Sequence, residues 1–391
     1  MRIAMIHTPL VGPSGGERQI LELAYRLEKR GHEVTIFTNG VDEEKCYPDL
    51  IKKVNIEVVR YPVNIKYLKT YLGMKKIGKV IGERAKEFDL INNHNFPSEW
   101  AVYYAKKNCD LPAVWMCNEP PFWFFVPEAR KGIINKLRWP FYEILDKKSV
   151  EKINEIVVLS GMIQKLVKKI YKRNSIVVRS GIDLKKFEIR RDSREYKNKE
   201  TITILMVGML APHKKQDTLI KTIHHIKNKN KNIYKKINLI FAGPEIEEFK
   251  NYLFSLIKKF NLSANIEFKG AVSDTELLNL YASCDIFVFP AHQSWSLVTV
   301  EAMAMGKPVI VSNKCGVSEI IENRKTGFIF KHDNYKELAE KIVELIENEE
   351  LRIKMGKNAR KYVKENLSWE KYAENMEKVF MKVLENENKK S

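Results

Sequence analysis

Apolar residues along the first half of the chain fall into two alternating rhythms. Ile3 to His7 is a short apolar run that predicts a strand, and Thr8 to Gly16 is a loop rich in Gly, Pro and Ser. From Glu17 to Lys29, the residues Ile20, Leu23, Ala24 and Leu27 recur at the spacing of one helix face. Gly31-His32 ends that helix and Glu33 to Thr38 predicts a second strand, so the opening segment is a βαβ unit with parallel strands and a right-handed crossover. Further strands are expected at Ile56 to Arg60, Leu90 to Asn92, Ala113 to Cys117, Glu155 to Leu159 and Ser175 to Val178, with helices between them and Ser160 capping one. Phe187 to Thr201 is dense in Arg, Lys and Glu, lacks apolar periodicity and reads as a linker.

A second series opens at Ile202 to Val207. Its strands are expected at Ile237 to Ala242, Ile266 to Lys269, Ile286 to Phe289 and Pro308 to Ser312, again separated by helices. An amphipathic helix from Ser368 to Leu384 follows after this series is complete. The pattern predicts an α/β chain of two doubly wound, Rossmann-like domains facing one cleft. The domains run over 1–188 and 201–367, with a linker at 189–200 and a closing helix and tail at 368–391.

Composition narrows the partners. Among 391 residues, Lys and Arg exceed Asp and Glu by 68 to 49, a net charge of +19 that attracts anions. The lysines are spread along the chain and no nucleic-acid reading motif occurs, so phosphorylated small molecules and anionic lipid remain as partners and nucleic acid does not. No apolar run reaches the roughly 18 residues of a spanning helix, and no charged leader precedes the first strand. Five cysteines without a CxxC pair indicate neither a disulfide framework nor a zinc knuckle, and the chain reads as cytoplasmic.

Three strand-to-helix loops carry candidate chemistry. Gly12-Pro13-Ser14-Gly15-Gly16-Glu17-Arg18 precedes the first helix, where free amides and the positive dipole end await an anion. It is neither the dinucleotide nor the P-loop fingerprint, and a glycine turn required by chain geometry alone is an equal reading. Val207-Gly208-Met209-Leu210-Ala211-Pro212-His213-Lys214 places a lysine at the corresponding turn of the second series, as a phosphate ligand or a solvated side chain. In Pro290 to Pro308, a polar loop runs into a helix whose Leu297 and Val298 amides suit a diphosphate. Glu301, a turn further on, either accepts from vicinal hydroxyls or stabilises the helix dipole. His94, after an apolar strand, is either a cleft residue or a buried, hydrogen-bonded histidine.

Together these segments, with Ser180-Gly181-Ile182-Asp183, Cys315-Gly316-Val317-Ser318-Glu319 and Thr326-Gly327-Phe328, resemble the retaining glycosyltransferases of family 4, in that family's order and over nearly the whole chain. The resemblance implies the GT-B fold, a C-terminal helix that crosses back to the first domain, and transfer of a sugar from a UDP- or GDP-linked donor to a glycan or lipid-linked acceptor. It implies that Gly15, Gly16, Gly208, Met209, Lys214, Leu297, Val298 and Glu301 bind the donor, and that Lys214, Gln293, Asn118 and His94 stand at the catalytic positions. It implies no metal and no other cofactor, since no D-x-D triad occurs. Three positions depart from the family pattern: Met209 stands for Arg, Gln293 for Glu and Asn118 for His. These departures motivate a second reading, a catalytically impaired protein that binds sugar nucleotides or glycans. The aromatic run Phe122 to Val126, followed by Arg130, Lys131, Lys136 and Arg138, presents either rings packed in the first domain or a peripheral contact with the anionic inner membrane face.

Overall fold

The computed structural model describes residues 1–61, 68–125, 133–187 and 200–389; the side chains of 123 and 133–138 are outside that description. The chain forms two compact units, one of Met1–Gly181 with Trp369–Ser391 and one of Ile182–Ser368.

In chain order, the first unit contains β1 Arg2–Ile6, α1 Gly15–Lys29, β2 Glu33–Thr38, α2 Pro48–Ile51, β3 Asn55–Val58, α3 Leu68–Glu83 and β4 Leu90–His94. It continues with α4 Ser98–Ala105, β5 Ala113–Met116, α5 Ile133–Glu151, β6 Glu155–Val158, α6 Gly161–Tyr171 and β7 Ile176–Val177. The strands form one sheet in the order β3-β2-β1-β4-β5-β6-β7, every pair parallel. Its central strands are buried on both faces because helices cover both sides, as the burial of all of Ile3–Ile6, Leu90–His94 and Ala113–Met116 shows; Ile3–Ile6 and β5 are apolar, whereas β4 ends in the buried polar run Asn92-Asn93-His94.

The second unit contains β8 Ile202–Val207, α7 Gln216–Lys229, α8 Lys231–Lys235, β9 Ile237–Ala242, α9 Glu247–Phe260, β10 Ile266–Phe268 and α10 Asp274–Ser283. Then come β11 Ile286–Phe289, α11 Leu297–Ala304, β12 Val309–Ser312, β13 Gly327–Phe330, α12 Tyr335–Glu347 and α13 Glu349–Asn366. Its parallel sheet runs β10-β9-β8-β11-β12-β13. The last helix, α14 Trp369–Asn388, returns to the first unit and packs on α1. Trp369, Tyr372 and Phe380 form its buried face. At the rim, Arg26 Nε donates to Glu370 at 3.1 Å, Arg30 Nε to Glu377 at 2.8 Å and His32 Nε2 to Glu377 at 2.7 Å.

The two wound sheets and the returning helix match the sequence reading, and four details correct it. α1 begins at Gly15, so the paired glycines belong to the helix's first turn. β4 runs on to His94, which is therefore the last residue of the strand and fully buried. β13 and α13 were not anticipated: β13 begins with a glycine, which reads as a turn, and α13 buries only Met355, Gly356, Ala359 and Val363, too small a stripe to register as apolar periodicity. The first unit's leading segment ends at Gly181 and not at residue 188, because the Ile182 amide donates to Leu367 O at 3.0 Å and Phe187 packs on Tyr281, with ring centroids 6.4 Å apart. Residues 188–199 of the expected linker lie outside the described residues.

Beneath the first sheet lies a buried acid pair. Glu99 of α4 and Asp146 of α5 are both fully buried, and the Tyr171 hydroxyl donates to Asp146 Oδ2 at 2.6 Å. Burial raises both carboxyls above their ordinary range, and their mutual repulsion raises Glu99 further. A carboxyl raised in the folded state favours folding at low pH, and that contribution is lost as pH climbs from its unfolded value through its folded one. Glu99→Gln is therefore expected to stabilise the protein at pH 8 by about 1–3 kcal/mol and to have little effect near pH 4.5. Urea unfolding at the two pH values measures this, and an equal loss of stability at both would contradict it.

Candidate functional site

In a parallel sheet the loops that follow the strands gather at one edge, which is where open α/β sheets hold ligands. In the first unit, β1, β4 and β5 deliver His7, Asn95 and Asn118 to this edge, beside the start of α1. His7 Nδ1 donates to its neighbour's carbonyl, Thr8 O, at 2.8 Å, so Nε2 carries the lone pair and accepts from Asn95 Nδ2 at 3.1 Å. Burial holds this imidazole neutral, with its pKa lowered to about 4. Asn95 adopts a left-handed backbone, φ 59°, and its amide lies where a side chain at position 16 would be: a Cβ on Gly16 would sit 2.5 Å from Asn95 Nδ2. Gly15 and Gly16 are the first two residues of α1, and their amides have no preceding helical carbonyl to bond.

Asn118 Nδ2 donates to Gln19 Oε1 at 2.7 Å, which joins the loop after β5 to a buried residue of α1. His94 sits inside this unit, its Nε2 paired with Asn92 Oδ1 at 2.8 Å and its pKa driven well below the usual value by burial. The geometry thus brings Asn118 to the edge and keeps His94 in the interior, and His7 occupies the position at which a histidine meets the loops. His7 and Asn95 were legible in principle as residues at the ends of apolar strands; Gln19 lies mid-helix and gave no signal.

In the second unit the corresponding edge is built by the loops after β8 and β11. Gly208 takes φ +148°, which only glycine adopts without strain, and its amide donates to Ala242 O at 2.8 Å. Met209 is 44% exposed beside it. Pro212–Lys214 forms one 3-10 turn that aims Lys214 Nζ at Gln293 Oε1 and sets it 5.5 Å from the Phe289 ring centroid. Gln293 is itself fixed by its backbone, whose amide donates to Lys314 O at 3.2 Å and whose carbonyl accepts from Gly316 N at 2.9 Å. Ser296 caps α11, its hydroxyl accepting from the Thr299 amide at 3.3 Å. Leu297 and Val298 follow as the first two helical residues, so their amides have no helical acceptor.

Glu301 is the fifth residue of α11, beyond the first turn, and only 7% exposed. Its Oε2 accepts from the Tyr281 hydroxyl at 2.9 Å, which holds the carboxylate in one orientation; Tyr281 was not singled out from sequence. A cation, two helix-end amides and an oriented carboxylate on one edge can bind a phosphorylated group that also bears paired hydroxyls. Among the described residues, no group of three or more His, Cys, Asp or Glu side chains could hold a metal ion.

The aromatic run resolves in part. Phe124 is buried and meets Phe96 and Tyr142, with centroids 5.4 and 6.0 Å away, whereas Phe122 is exposed. Val126, Arg130 and Lys131 lie outside the described residues, as do the side chains of Trp123, Lys136 and Arg138. Among the described residues no helix is long and apolar enough to cross a membrane.

Comparison with known proteins bears on both units. The model of Glycosyltransferase Family 4 matches residues 13–186 and that of Glycosyl transferases group 1 matches residues 186–362. Uncharacterized glycosyltransferase MJ1178 of Methanocaldococcus jannaschii is 29% identical over 390 residues, covering 97% of this chain and 98% of that protein. The capsular polysaccharide biosynthesis glycosyltransferase CapM of Staphylococcus aureus is 29% identical over 378 residues, covering 92% and 93%. Among solved structures, Anabaena Alr3699/HepE in complex with UDP has a TM-score of 0.78 at 17% identity, covering 98% of this chain and 100% of that one. At that identity the likeness establishes the fold, which is GT-B.

The packing of position 16 is directly testable. Gly16→Ala is expected to push the Asn95 amide off His7 and cost about 1 kcal/mol, the net worth of one hydrogen bond. Gly12→Ala is the control, because nothing lies within 4 Å of a Cβ there. Equal stabilities of the two variants in urea would contradict this packing.

Proposed function

We propose that this chain, which belongs to the family 4 and group 1 glycosyl transferases, moves a hexose from a UDP- or GDP-linked donor to a glycan or lipid-linked acceptor with retention of anomeric configuration. The observation that carries the reading is the single edge of the second unit where Lys214, the Leu297 and Val298 amides and Glu301 stand together. Glu301, oriented by Tyr281, takes the ribose hydroxyls, and the α11 amides with Lys214 take the diphosphate. HepE, which shares the fold, has been solved with UDP and with UDP-glucose. In the first unit, the edge around Asn118, where Gly15 and Gly16 present backbone amides, receives the acceptor.

Breaking the bond between the sugar and the diphosphate gathers negative charge on the leaving nucleotide. Donors already in place at that charge lower the barrier, because they need no reorganisation as it develops. With Met209 at the turn where the family carries Arg, Lys214 supplies the side-chain cation and the amides of α11 supply the rest. The leaving phosphate itself accepts the acceptor's proton, so the scheme asks for no carboxylate base and no metal cofactor. The second reading, a binder without turnover, draws on the neutral side chains of Met209 and Gln293, and donor hydrolysis separates it from the first.

A lipid-linked acceptor would bring the first unit to an anionic membrane face. Phe122, Phe141 and Ile144 are its exposed large apolar side chains that support this, together with the chain's net charge of +19.

Lys214→Ala is expected to lower turnover about a hundredfold or more, as for loss of one preorganised charge donor. Glu301→Ala is expected to weaken nucleoside diphosphate binding by about 1–3 kcal/mol, as for loss of hydrogen bonds to a charged group. Steady-state kinetics and calorimetry with UDP and GDP measure the two, and near-normal values in both variants would place the phosphate site elsewhere. Binding to vesicles of anionic phospholipid is expected to fall with salt and to drop further in Phe122→Ser/Phe141→Ser. Vesicle binding unaffected by that pair would remove the membrane from the account.

A further inference from the structure

Three of the chain's eight histidines gather at the strand ends of the second unit. His213 follows β8, His292 follows β11 and His332 follows β13, so three separate loops supply them. The His292 amide donates to His213 O at 3.2 Å, and the His292 and His332 rings meet edge to face with centroids 5.8 Å apart. At Gln293 the chain is extended, bridged in parallel to Cys315, so successive side chains leave on opposite sides. Gln293 turns to Lys214, and His292 turns to His332. The histidines therefore border the Lys214 turn on the side away from the positions proposed above for the ribose and diphosphate. His332 is held in place: its Nδ1 pairs with Ser312 Oγ at 2.9 Å, and that oxygen accepts from the Lys314 amide at 3.1 Å. Its Nε2 stands 3.6 Å from Asp333 Oδ2, outside hydrogen-bonding distance.

The surroundings of these rings are cationic. Lys214 acts on His213, and Lys215 and Lys314 act on His332. Asp333 is the carboxylate facing them, and it is already engaged: Lys215 Nζ lies 3.0 Å away and the Thr218 hydroxyl donates to it at 3.3 Å. Burial lowers the pKa of His213, and Lys214 and His292 lower it further. Burial likewise lowers His332, with Asp333 opposing the shift and Lys215, His292 and Lys314 adding to it. Bringing like charges together costs the empty protein free energy, which a bound anion offsets. A metal ion is the other usual ligand of clustered imidazoles. Among the described residues no three His, Cys, Asp or Glu side chains are placed to share one, and the lysines would repel it. Donors arriving from three loops suit a tetrahedral group with several oxygens better than a planar carboxylate. We propose that His213, His292 and His332, together with Lys314, form a second anion site on this unit, beside the donor's, and that it takes a phosphate group.

The test is calorimetry of the intact chain with UDP, or GDP where GDP is the one that binds, held at saturation so that the diphosphate position stays filled. Inorganic phosphate, glycerol 3-phosphate and sulfate are then titrated. Phosphate is expected to bind under that nucleotide and to weaken about fivefold or more in His292→Ala and in His332→Ala, with nucleotide affinity unchanged. Sulfate keeps its charge where imidazole titrates, so its affinity is expected to rise about fivefold or more from pH 7.5 to pH 5.5 in the wild type and to stay flat in the double variant. Tighter binding of glycerol 3-phosphate than of inorganic phosphate assigns the site to a phosphorylated metabolite, and otherwise free phosphate is its ligand. Displacement of phosphate by the nucleotide, or equal phosphate affinity in the wild type and His292→Ala, overturns the proposal while leaving the glycosyltransferase reading intact. Absence of affinity for both nucleotides overturns that reading instead, and phosphate titrated into the nucleotide-free chain still decides the site through the same variants. Where a variant fails to fold, NMR of the wild-type histidine rings decides: phosphate is expected to move the resonances of three of the eight, and none moving overturns the proposal.

Discussion

Parallel pairing on both sides of the first strand of each series is the constraint from which the rest of the molecule follows. β1 is hydrogen-bonded to β2 on one side and to β4 on the other, and β8 to β9 and β11 in the same way. At these points the chain reverses the direction in which it adds strands, so the loops leaving the two neighbours depart to opposite faces and open a crevice between them. The loops bordering that crevice are the ones that carry Gly15 and Gly16 with Asn95 in the first unit, and Lys214 with Gln293 in the second. Because strands are parallel, each of these loops also runs toward a helix N-terminus, and the anion-binding amides of α11 come with the topology.

Chemistry is layered onto that frame by a few polar side chains held by buried or half-buried partners. Glu301 is oriented by Tyr281, Lys214 by Gln293, Asn95 by His7 and Asn118 by Gln19. Each pair joins two different elements, so the functional group inherits the rigidity of the sheet or helix behind it. The excess of positive charge is by contrast diffuse. Lysines paired at short range with carboxylates, such as Lys221 with Asp217 and Lys378 with Glu374, are neutralised locally and contribute little individually, and the role of the remaining excess is to draw anions toward the molecule.

The alternation of strands and helices was legible because buried parallel strands are apolar throughout and their helices carry a single apolar face. Strands such as Ile202–Val207, Ile237–Ala242 and Ile286–Phe289 coincide with the expected segments for that reason. The return of α14 to the first unit came from family resemblance; its buried Trp369, Tyr372 and Phe380 record amphipathicity but not the surface they cover. β13 and α13 escaped because a leading glycine and a narrow buried stripe weaken the periodic signal. In the candidate site, loop motifs singled out Lys214, Gln293 and Glu301, whereas Tyr281 and Gln19, which hold Glu301 and Asn118, did not stand out. Tyr281 and Gln19 lie in helices where an aromatic or an amide looks like ordinary packing, and only the tertiary fold brings them to their partners. The same limit applies to His94: two further residues of β4 move it from the loop into the core.

The account stands on a nucleoside diphosphate seated at the β8 and β11 edge of the second unit. Amide hydrogen exchange of the intact chain with and without saturating UDP or GDP tests this most directly, because it locates the ligand without any substitution. Protection is expected to concentrate in residues 208–216 and 293–301, with the exchange of β10 and α12 unchanged. Protection confined to the first unit, or none in those two segments while calorimetry reports binding, would contradict it.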